Sequence, residues 1–160
     1  MSEVPHGQRR RLPTKSKGYR VEAIVGGHKI VLHTAEYEDG MLGEIAIDMQ
    51  KEGASFRAMM QQFAAAVSLA LQYGAPLEEL IELFMYTRFE PSGMVMNHPE
   101  IANVTSVVDF IFRELAIHYC GRQDLVAIAP VKRGTDTKVI PLPVALGEPG
   151  EGDGEFADES

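Results

Sequence analysis

The chain has 160 residues, of which 45% are hydrophobic and 24% are charged, and its formal net charge is −8. This length supports one hydrophobic core and is too short for two ordinary domains. No apolar run approaches the roughly 18 residues of a membrane-spanning helix, and no apolar segment follows the basic N-terminus as in a secretory signal. We therefore expect a single cytoplasmic domain, and the lone Cys120 is consistent with a reducing compartment.

Opposite charges are concentrated at the two ends of the chain. The front carries Arg9, Arg10, Arg11, Lys15, Lys17 and Arg20, and the end carries Glu148, Glu151, Asp153, Glu155, Asp158 and Glu159. We expect residues 1–17 to form a flexible basic arm and residues 126–160, rich in proline, glycine and acid, to form a disordered tail. Beside a strongly acidic body, such an arm is weak evidence for nucleic-acid binding, and a solubilising arm or linker is the simpler interpretation.

A three-stranded antiparallel meander is predicted between residues 19 and 49. Apolar and polar residues alternate from 19 to 25, and Gly26-Gly27 then supplies the positive φ of a tight hairpin. Residues 29–37 resume extended structure, Asp39-Gly40 forms a second turn, and an alternating third strand follows. A sheet of this size needs a cover for its apolar face.

Helices follow the sheet and are predicted to provide that cover. From Ser55 the apolar spacing changes from two to three and four, and Gly74 and Pro76 separate the first helix from a short second one at about residues 76–86. Small residues at 64–66 and 70 fit a tightly packed central helix, covered on two sides, better than a dimer seam. The inward stripe of the first helix is predicted as Phe56, Met59, Met60, Phe63, Val67 and Leu71.

A third helix is predicted after an irregular loop. Pro91, Gly93 and Pro99 break the pattern between residues 88 and 102. Ser106, followed three positions later by Asp109, resembles a capping box. The predicted fold class is therefore α+β, a three-stranded meander packed against about three helices.

Four stretches of this chain resemble the C-terminal region of the vitamin B12-dependent (class II) ribonucleotide reductases. They are GYRVEAIVGGHKIVLHTAEYEDG (18–40), GEIAIDMQKEGASFRAMMQQ (43–62), SLALQYGAPLEELIELFMYTRFEPSG (68–93) and TSVVDFIFRELAIHYCGRQDL (105–125). In those enzymes this region lies beyond the catalytic barrel and is often grouped with TSCPD domains, so named for a cysteine-bearing motif. The TSCPD string itself is absent here.

The resemblance implies a role in deoxyribonucleotide synthesis, a process that uses adenosylcobalamin in the parent family. The parent enzymes need several cysteines, one for the thiyl radical and pairs for substrate reduction and electron relay, whereas this chain has only Cys120. Nor does it contain a recognisable cobalamin-binding segment. We therefore expect no cofactor in this chain and no catalysis by it alone.

A zinc site is not supported by the spacing of the possible ligands. The candidates are His28, His33, His118 and Cys120, but the last two are two positions apart, which on a helix separates them by about 200°. Cys120 near a helix C-terminus also faces an unfavourable dipole, which favours an inert packing role.

Two sets of residues are candidates for binding. Glu44 and Asp48, on the polar face of the third strand with Glu36 and Glu38 nearby, could serve acid-base chemistry or hold magnesium, although a solvated sheet face needs such charges anyway. Arg88, Phe89 and Glu90 combine a cation, an aromatic ring and a carboxylate at the mouth of a loop, where binding residues are common. A simple Arg–Glu contact that clamps the loop is the alternative.

Three functional hypotheses follow. In the first, the chain is a stand-alone accessory module that packs against a class II reductase, or against itself, through an apolar patch on its helices. In the second, it is an enzyme, either a reductase fragment or a metal-dependent activity that uses Glu36, Glu44 and Asp48. In the third, it is a nucleotide or nucleic-acid sensor that uses the basic arm.

Overall fold

A computed structural model describes residues 7–127. Within them, the strands are β1 (Arg20–Val25), β2 (His28–Glu36), β3 (Leu42–Met49), β4 (Gly93–Met96) and β5 (Asn103–Val104). The α-helices are α1 (Ala54–Gln72), α2 (Leu77–Phe84) and α3 (Val107–Cys120), and a short 3-10 helix spans Gln123–Leu125. One antiparallel sheet has the order β3-β2-β1-β4-β5, so the predicted α+β class is confirmed.

The predicted meander forms the larger part of this sheet. Gly26 and Gly27 adopt φ values of +56° and +90° in the first turn, and Gly40 adopts +87° in the second. At Gly26 a β-carbon would lie 2.2 Å from the carbonyl oxygen of Ser92, so a side chain is excluded by space as well as by backbone conformation. The apolar face carries Ala23, Val25, Ile30, Leu32, Ile45, Ile47 and Met49, all buried.

The sheet has two more strands than the sequence predicts. Residues 88–102 were expected to be irregular, but β4 pairs with β1, and the Val95 amide donates to the carbonyl of Ala102 at 2.9 Å. Val95 and Val104 are only 7% and 4% exposed, and their burial holds the two short strands in place. Strands of four and two residues between chain breakers are too short to show a period of two.

Helix α1 buries Met60, Val67 and Leu71 of the predicted stripe, but its buried face is rotated away from the rest of that stripe. Met59 is 71% exposed, and Phe56 and Phe63 are only partly buried. The exposure of Ala65 and Ala66 shows that α1 is not covered on two sides as predicted. Helix α3 is instead the most deeply buried helix, with ten of its 14 residues buried. The buried residues of α1 are Met60, Ala64, Val67, Ser68, Leu71 and Gln72.

The buried face of α1 is rotated from the predicted one because the helix lies along the free edge of β3. Two of its polar residues form hydrogen bonds with the backbone of that strand. The Ile45 amide donates to Ser68 Oγ at 2.9 Å, and the Ser68 hydroxyl lies 3.1 Å from the Ile45 carbonyl oxygen. Gln72 Nε2 donates to the carbonyl of Gly43 at 3.0 Å. Since unpaired edge groups attract other strands, the helix uses these side chains to cover them. A pattern of apolar spacing cannot reveal this requirement.

The N-terminal segment contacts the domain where the structure describes it, from residue 7. The Arg10 amide donates to the carbonyl of Gln72 at 2.8 Å, and Arg9 Nε donates to Gln72 Oε1 at 2.6 Å. Lys17 forms an isolated β-bridge with Glu36. Residues 1–6 of the predicted arm and residues 128–160 of the predicted tail lie outside the described residues. No described helix is both long and apolar enough to span a bilayer.

Candidate interaction surface

A buried carboxylate at the start of α3 anchors the chain that follows α2. Asp109 is fully buried, and it accepts hydrogen bonds from the amide of Tyr86 at 2.7 Å and from the amide of Thr105 at 2.9 Å. Arg113 Nε lies 3.0 Å from both carboxylate oxygens and is the third hydrogen-bond donor to Asp109. Charge-assisted bonds of this kind are the strong ones, so residue 86 is held firmly.

The predicted capping box is present only in part. Ser106 caps α3 as expected, since its hydroxyl accepts from the Asp109 amide at 3.0 Å. The carboxylate of Asp109 does not return to the backbone of Ser106, because it is occupied by Tyr86, Thr105 and Arg113. Asp109, the second residue of the capping box, therefore connects the segment at Tyr86 to the start of α3 instead of capping the N-terminus of that helix.

Tyr86 is held in a conformation that aromatic residues rarely adopt. Its φ is +70°, in the left-handed region, and its side chain is 56% exposed with the Arg113 guanidinium 4.8 Å from the ring centroid. Left-handed backbone costs a bulky residue free energy, and such strain concentrates at functional sites. Sequence reasoning missed this residue, which it placed at the end of a helix, because no local pattern shows the pull of a carboxylate 23 positions away.

The segment Arg88, Phe89 and Glu90 follows directly and is also anchored by its backbone. The Phe89 amide donates to the carbonyl of Thr105 at 3.2 Å, and the Thr105 hydroxyl donates to the carbonyl of Thr87 at 2.8 Å. Among the described residues there is no Arg88–Glu90 ion pair, and Glu90 instead accepts from the hydroxyl of Ser92 at 3.0 Å. The Arg–Glu clamp is therefore not what holds this loop.

Four exposed residues lie close together in the sequence here, and we call them the Tyr86 surface: Leu83, Tyr86, Arg88 and Phe89. Leu83 is 67% exposed and Phe89 is 36% exposed, and Arg88 lies between the two aromatic residues in the chain. Aromatic residues and arginine are the types that contribute most to protein interfaces. Backbone anchoring lowers the entropy cost of ordering such a surface when a partner binds.

A second buried carboxylate, Glu114, anchors the connection between β4 and β5. It accepts a hydrogen bond from the Tyr19 hydroxyl at 2.9 Å and lies 2.5 Å from Nε2 of His98. His98 Nδ1 accepts from the amides of Glu100 at 3.0 Å and Ile101 at 3.1 Å, so the ring proton is on Nε2 and points at the carboxylate. The side chains of His98 and Glu114 are only 2% and 7% exposed, which makes this cluster a structural clamp.

The electrostatics of the second anchor follow from its burial and its hydrogen bonds. Burial alone raises the pKa of Glu114, but the hydrogen bonds from His98 and Tyr19 outweigh it and hold that pKa below the usual value. Burial and the neighbouring Glu114 charge raise the pKa of the Tyr19 phenol. Glu114 is therefore a stable carboxylate that accepts hydrogen bonds, and not a poised general acid.

The four candidate carboxylates of the sheet do not converge. Glu44 and Asp48 lie on the outer face of β3, in a groove of about 720 Å³ beside α1, with Asp48 3.8 Å from Arg57. Glu36 accepts from the Tyr119 hydroxyl at 2.6 Å and, with Glu38, lines a separate cleft of about 750 Å³. Between residues 7 and 127 no three His, Cys, Asp or Glu side chains are grouped to hold a metal ion.

The candidate zinc ligands are also dispersed among other contacts. His28 pairs with Glu52, and His118 stacks on the ring of Tyr19 at 4.0 Å. Burial raises the pKa of the Cys120 thiol and the charge of Glu78 raises it further, so the thiolate nucleophile is scarce at neutral pH.

Comparison with known proteins assigns the family. The profile of the TSCPD domain matches residues 5–119. The chain belongs to the TSCPD domain family. It is 56% identical over 121 residues to the vitamin B12-dependent ribonucleotide reductase of Agrobacterium fabrum, and 50% identical over 129 residues to that of Bradyrhizobium diazoefficiens. These matches cover 76% and 81% of this chain but only 10% of each reductase. No solved structure matches.

The resemblance seen in the sequence is thereby confirmed, and it extends to relatives of lower identity. The reductase of Streptomyces avermitilis is 40% identical over 111 residues, or 69% of this chain and 11% of its own length. The chain thus spans about a tenth of the length of these relatives.

Residues 105–109 read TSVVD and share three of five letters with the family name. Its three shared letters are the anchoring residues: Thr105 binds the backbone of residue 87, Ser106 caps α3, and Asp109 binds Tyr86. The cysteine position of the name is Val107, which is fully buried against the core. In this TSCPD domain these three side chains therefore hold the segment at residues 86 and 87 by hydrogen bonding.

Neither of these two clefts between residues 7 and 127 is built for a large organic cofactor such as cobalamin. Cofactor pockets combine mostly apolar walls with a few convergent polar groups. The cleft at Glu36 is bordered mainly by charged and polar residues, and the groove at Glu44 runs between β3 and α1 with Arg9, His33, Glu44 and Asp48 among its lining residues. We therefore assign no step of cobalamin chemistry to these residues.

Proposed function

We propose that this TSCPD domain is a binding module that serves a vitamin B12-dependent ribonucleotide reductase and is not catalytic by itself. One observation carries the proposal: the tenth of the reductase that matches this chain corresponds to a unit with its own hydrophobic core. A unit that folds around its own core and matches so small a part of an enzyme is suited to an accessory role. Deoxyribonucleotide synthesis in the cytoplasm is the process that the module serves.

The chemistry of the described residues supports a role in binding. The carboxylates of Asp109 and Glu114 are buried and hold loops, and the single thiol has a raised pKa. Reductive radical chemistry needs a thiol that reacts and others that resupply electrons. Cobalamin and the reacting cysteines belong, in this proposal, to the partner.

We assign the contact with the reductase to the Tyr86 surface. Arg88 and Phe89 follow Tyr86 in the chain and are exposed, and the strain at residue 86 is maintained by a fully buried carboxylate. Strain that the surrounding structure maintains at an exposed aromatic is more useful for recognition than for folding. Glu90 borders this patch, whereas Glu44 and Asp48 lie in the groove beside α1 as a second predicted contact.

Sedimentation velocity of the chain mixed with a class II reductase from the source organism tests the proposal. We expect co-sedimentation at micromolar concentration. The double substitution Arg88→Ala and Phe89→Ala is expected to weaken binding about tenfold or more, since arginine and aromatic anchors commonly contribute over 1 kcal/mol each. Met41→Ala, which changes a side chain that is 61% exposed on the second hairpin, is the matched control.

Two results contradict the proposal. Failure of the unmodified chain to co-sediment removes the reductase as partner, and equal weakening by Met41→Ala removes the Tyr86 surface. An assay of the purified chain with ribonucleotides, adenosylcobalamin and a thiol tests the enzymatic alternative. Deoxynucleotide formed with no second protein present replaces the binding proposal.

A further inference from the structure

Tyr86 carries an exposed ring on a fixed backbone, and the backbone alone does not orient the ring. The bond from the Tyr86 amide to Asp109 holds residue 86 at its φ of +70°, but it leaves rotation about χ1 free. Exposed side chains change rotamer within nanoseconds, and an aromatic anchor loses this freedom when a partner binds. A second contact is needed to prepare the Tyr86 ring for binding.

Arg113 on α3 provides that second contact. Its guanidinium carbon lies 4.8 Å from the centroid of the Tyr86 ring, within the range of a cation–π interaction. The aromatic pairs formed between residues 7 and 127 do not include Tyr86. The guanidinium of Arg113 is therefore the one charged or aromatic group that the described part of the chain places over this ring.

Arg113 is itself fixed by the carboxylate that anchors the backbone of residue 86. Its Nε lies 3.0 Å from both oxygens of Asp109, and its side chain is only 18% exposed. The two residues are four positions apart and share one face of α3, a helix in which most residues are buried. Asp109 therefore holds Tyr86 twice, once through the amide of residue 86 and once through the guanidinium over the ring.

We propose that Arg113 is the positioning residue of the Tyr86 surface and selects the rotamer in which the Tyr86 ring is presented to the reductase. This inference rests on the proposed function, because it assigns the ring a use in binding. A side chain that already has its binding rotamer loses less entropy on association. Arg113 acts through Tyr86 and needs no contact of its own with the partner.

A purely structural ion pair is the alternative role for Arg113, since Arg113 and Asp109 are four positions apart on one helix. The geometry favours the positioning role. Among the described residues, Arg113 bonds to Asp109 through Nε only, so the ion pair leaves the planar end of the side chain over the Tyr86 ring. A lysine balances the charge of Asp109 as well, but it presents no flat group to an aromatic ring.

Arg113→Gln separates the two roles in the free chain. The side-chain nitrogen of glutamine is as many bonds from the backbone as Nε of arginine, so a donor to Asp109 is kept while the group over the ring is removed. We expect the three-bond NMR couplings of Tyr86 to show one χ1 rotamer in the parent chain and an average over rotamers in Arg113→Gln. Unchanged couplings overturn the positioning role. Arg20→Gln, which removes an arginine paired with a carboxylate on β1, is the matched control.

A double-mutant cycle tests whether Arg113 affects binding through the ring. In sedimentation with a class II reductase, Arg113→Gln is expected to raise the dissociation constant about fivefold, the effect of releasing one side chain. In a Tyr86→Asn background the same substitution is expected to change it by less than about twofold, because no ring remains to be oriented. Equal weakening in both backgrounds gives Arg113 an effect of its own and overturns the proposal.

The two measurements separate failure of this inference from failure of the proposed function. If the parent chain does not co-sediment with the reductase, the proposed function is wrong, and the couplings of the free chain still decide whether Arg113 orients the ring. If the parent chain co-sediments and Arg113→Gln binds equally tightly, the positioning role is wrong and the proposed function stands. Arg113→Lys, which keeps a cation beside Asp109, replaces Arg113→Gln where that variant does not fold, and the same outcomes decide.

Discussion

Helices α1 and α3 distribute polar and apolar residues in opposite ways. In α3, polar groups are inside: Asp109 and Glu114 are buried, and each accepts hydrogen bonds from a distant segment. In α1, apolar groups are outside, and Met59 and Leu69 face solvent. Burial of a carboxylate and exposure of an apolar side chain each lower the free energy of unfolding when considered alone.

The difference shows how this domain separates folding from recognition. The buried carboxylates of α3 fix the connections at residues 86–89 and 97–101, where secondary structure is sparse. The exposed apolar residues of α1 do nothing for those connections and remain available to another chain. Substitutions in α3 should therefore act mainly on stability, and substitutions of Met59 and Leu69 in α1 should act mainly on association.

The largest expected effect is at the second anchor. Glu114→Ala leaves His98 and the Tyr19 hydroxyl buried without their partner, so we expect the free energy of unfolding to fall by about 3 kcal/mol. Chemical denaturation measures this change. Glu78→Ala, which removes an exposed carboxylate, is the control and should change stability by less than about 0.5 kcal/mol. Similar effects at both positions contradict the structural role of Glu114.

Asp109→Asn is expected to have the next largest effect. The amide keeps the shape of the carboxylate but can accept through one atom only, so the bonds to Tyr86 and Thr105 cannot both persist beside Arg113. We expect a loss of about 2 kcal/mol in the free energy of unfolding together with weaker binding of the reductase. If a folded Asp109→Asn protein binds the reductase as well as the parent chain, the hydrogen bonds of Asp109 are not needed for binding by the Tyr86 surface, which contradicts the proposed link.

Tyr86→Asn should separate stability from binding. Asparagine tolerates the left-handed backbone, so relief of strain offsets the loss of the Arg113 contact, and we expect the free energy of unfolding to stay within about 1 kcal/mol of the parent value. Binding of the reductase, measured by sedimentation, should weaken about tenfold. A stability loss of several kcal/mol shows instead that Tyr86 serves the fold.

A pH titration gives the smallest effect. The pKa of Glu114 is lower in the folded chain than its usual value of 4.5, so its contribution is present above that value and is lost as the pH falls through the folded pKa. Denaturation curves for Glu114→Gln should therefore show a shallower loss of stability below pH 4.5 than those for the parent chain. If the free energy of unfolding falls equally steeply below pH 4.5 in both proteins, the lowered pKa of Glu114 is contradicted.

The parts of the fold that the sequence predicts are those governed by local patterns. Alternating residues and Gly-Gly or Asp-Gly turns define the meander, and Ser106 marks the start of α3. The strands β4 and β5 escape prediction because long-range pairing, not local spacing, holds them. The rotation of α1 escapes it because Ser68 and Gln72 are polar in sequence yet buried against a strand edge.

The candidate site was predicted less well than the fold. Arg88, Phe89 and Glu90 were selected as a binding segment, and this remains a prediction; the structure adds Tyr86, whose φ of +70° depends on a carboxylate far along the chain. Glu36 and Glu44 were expected close together, since their strands are neighbours. A register irregularity between Ala35 and Glu36 accompanies their separation, with Glu36 turned toward Tyr119 and Glu44 left on the outer face.

The covering of β3 by α1 has a consequence for a domain whose relatives lie inside much longer polypeptides. At Gly43 and Ile45 the outward backbone groups already have side-chain partners, so an extended segment from a neighbouring molecule finds no vacant ladder position there. Sheets that stay open at this point invite runaway aggregation. A domain that covers this part of its β3 edge with its own side chains can be joined to different polypeptides without pairing with their strands at that position.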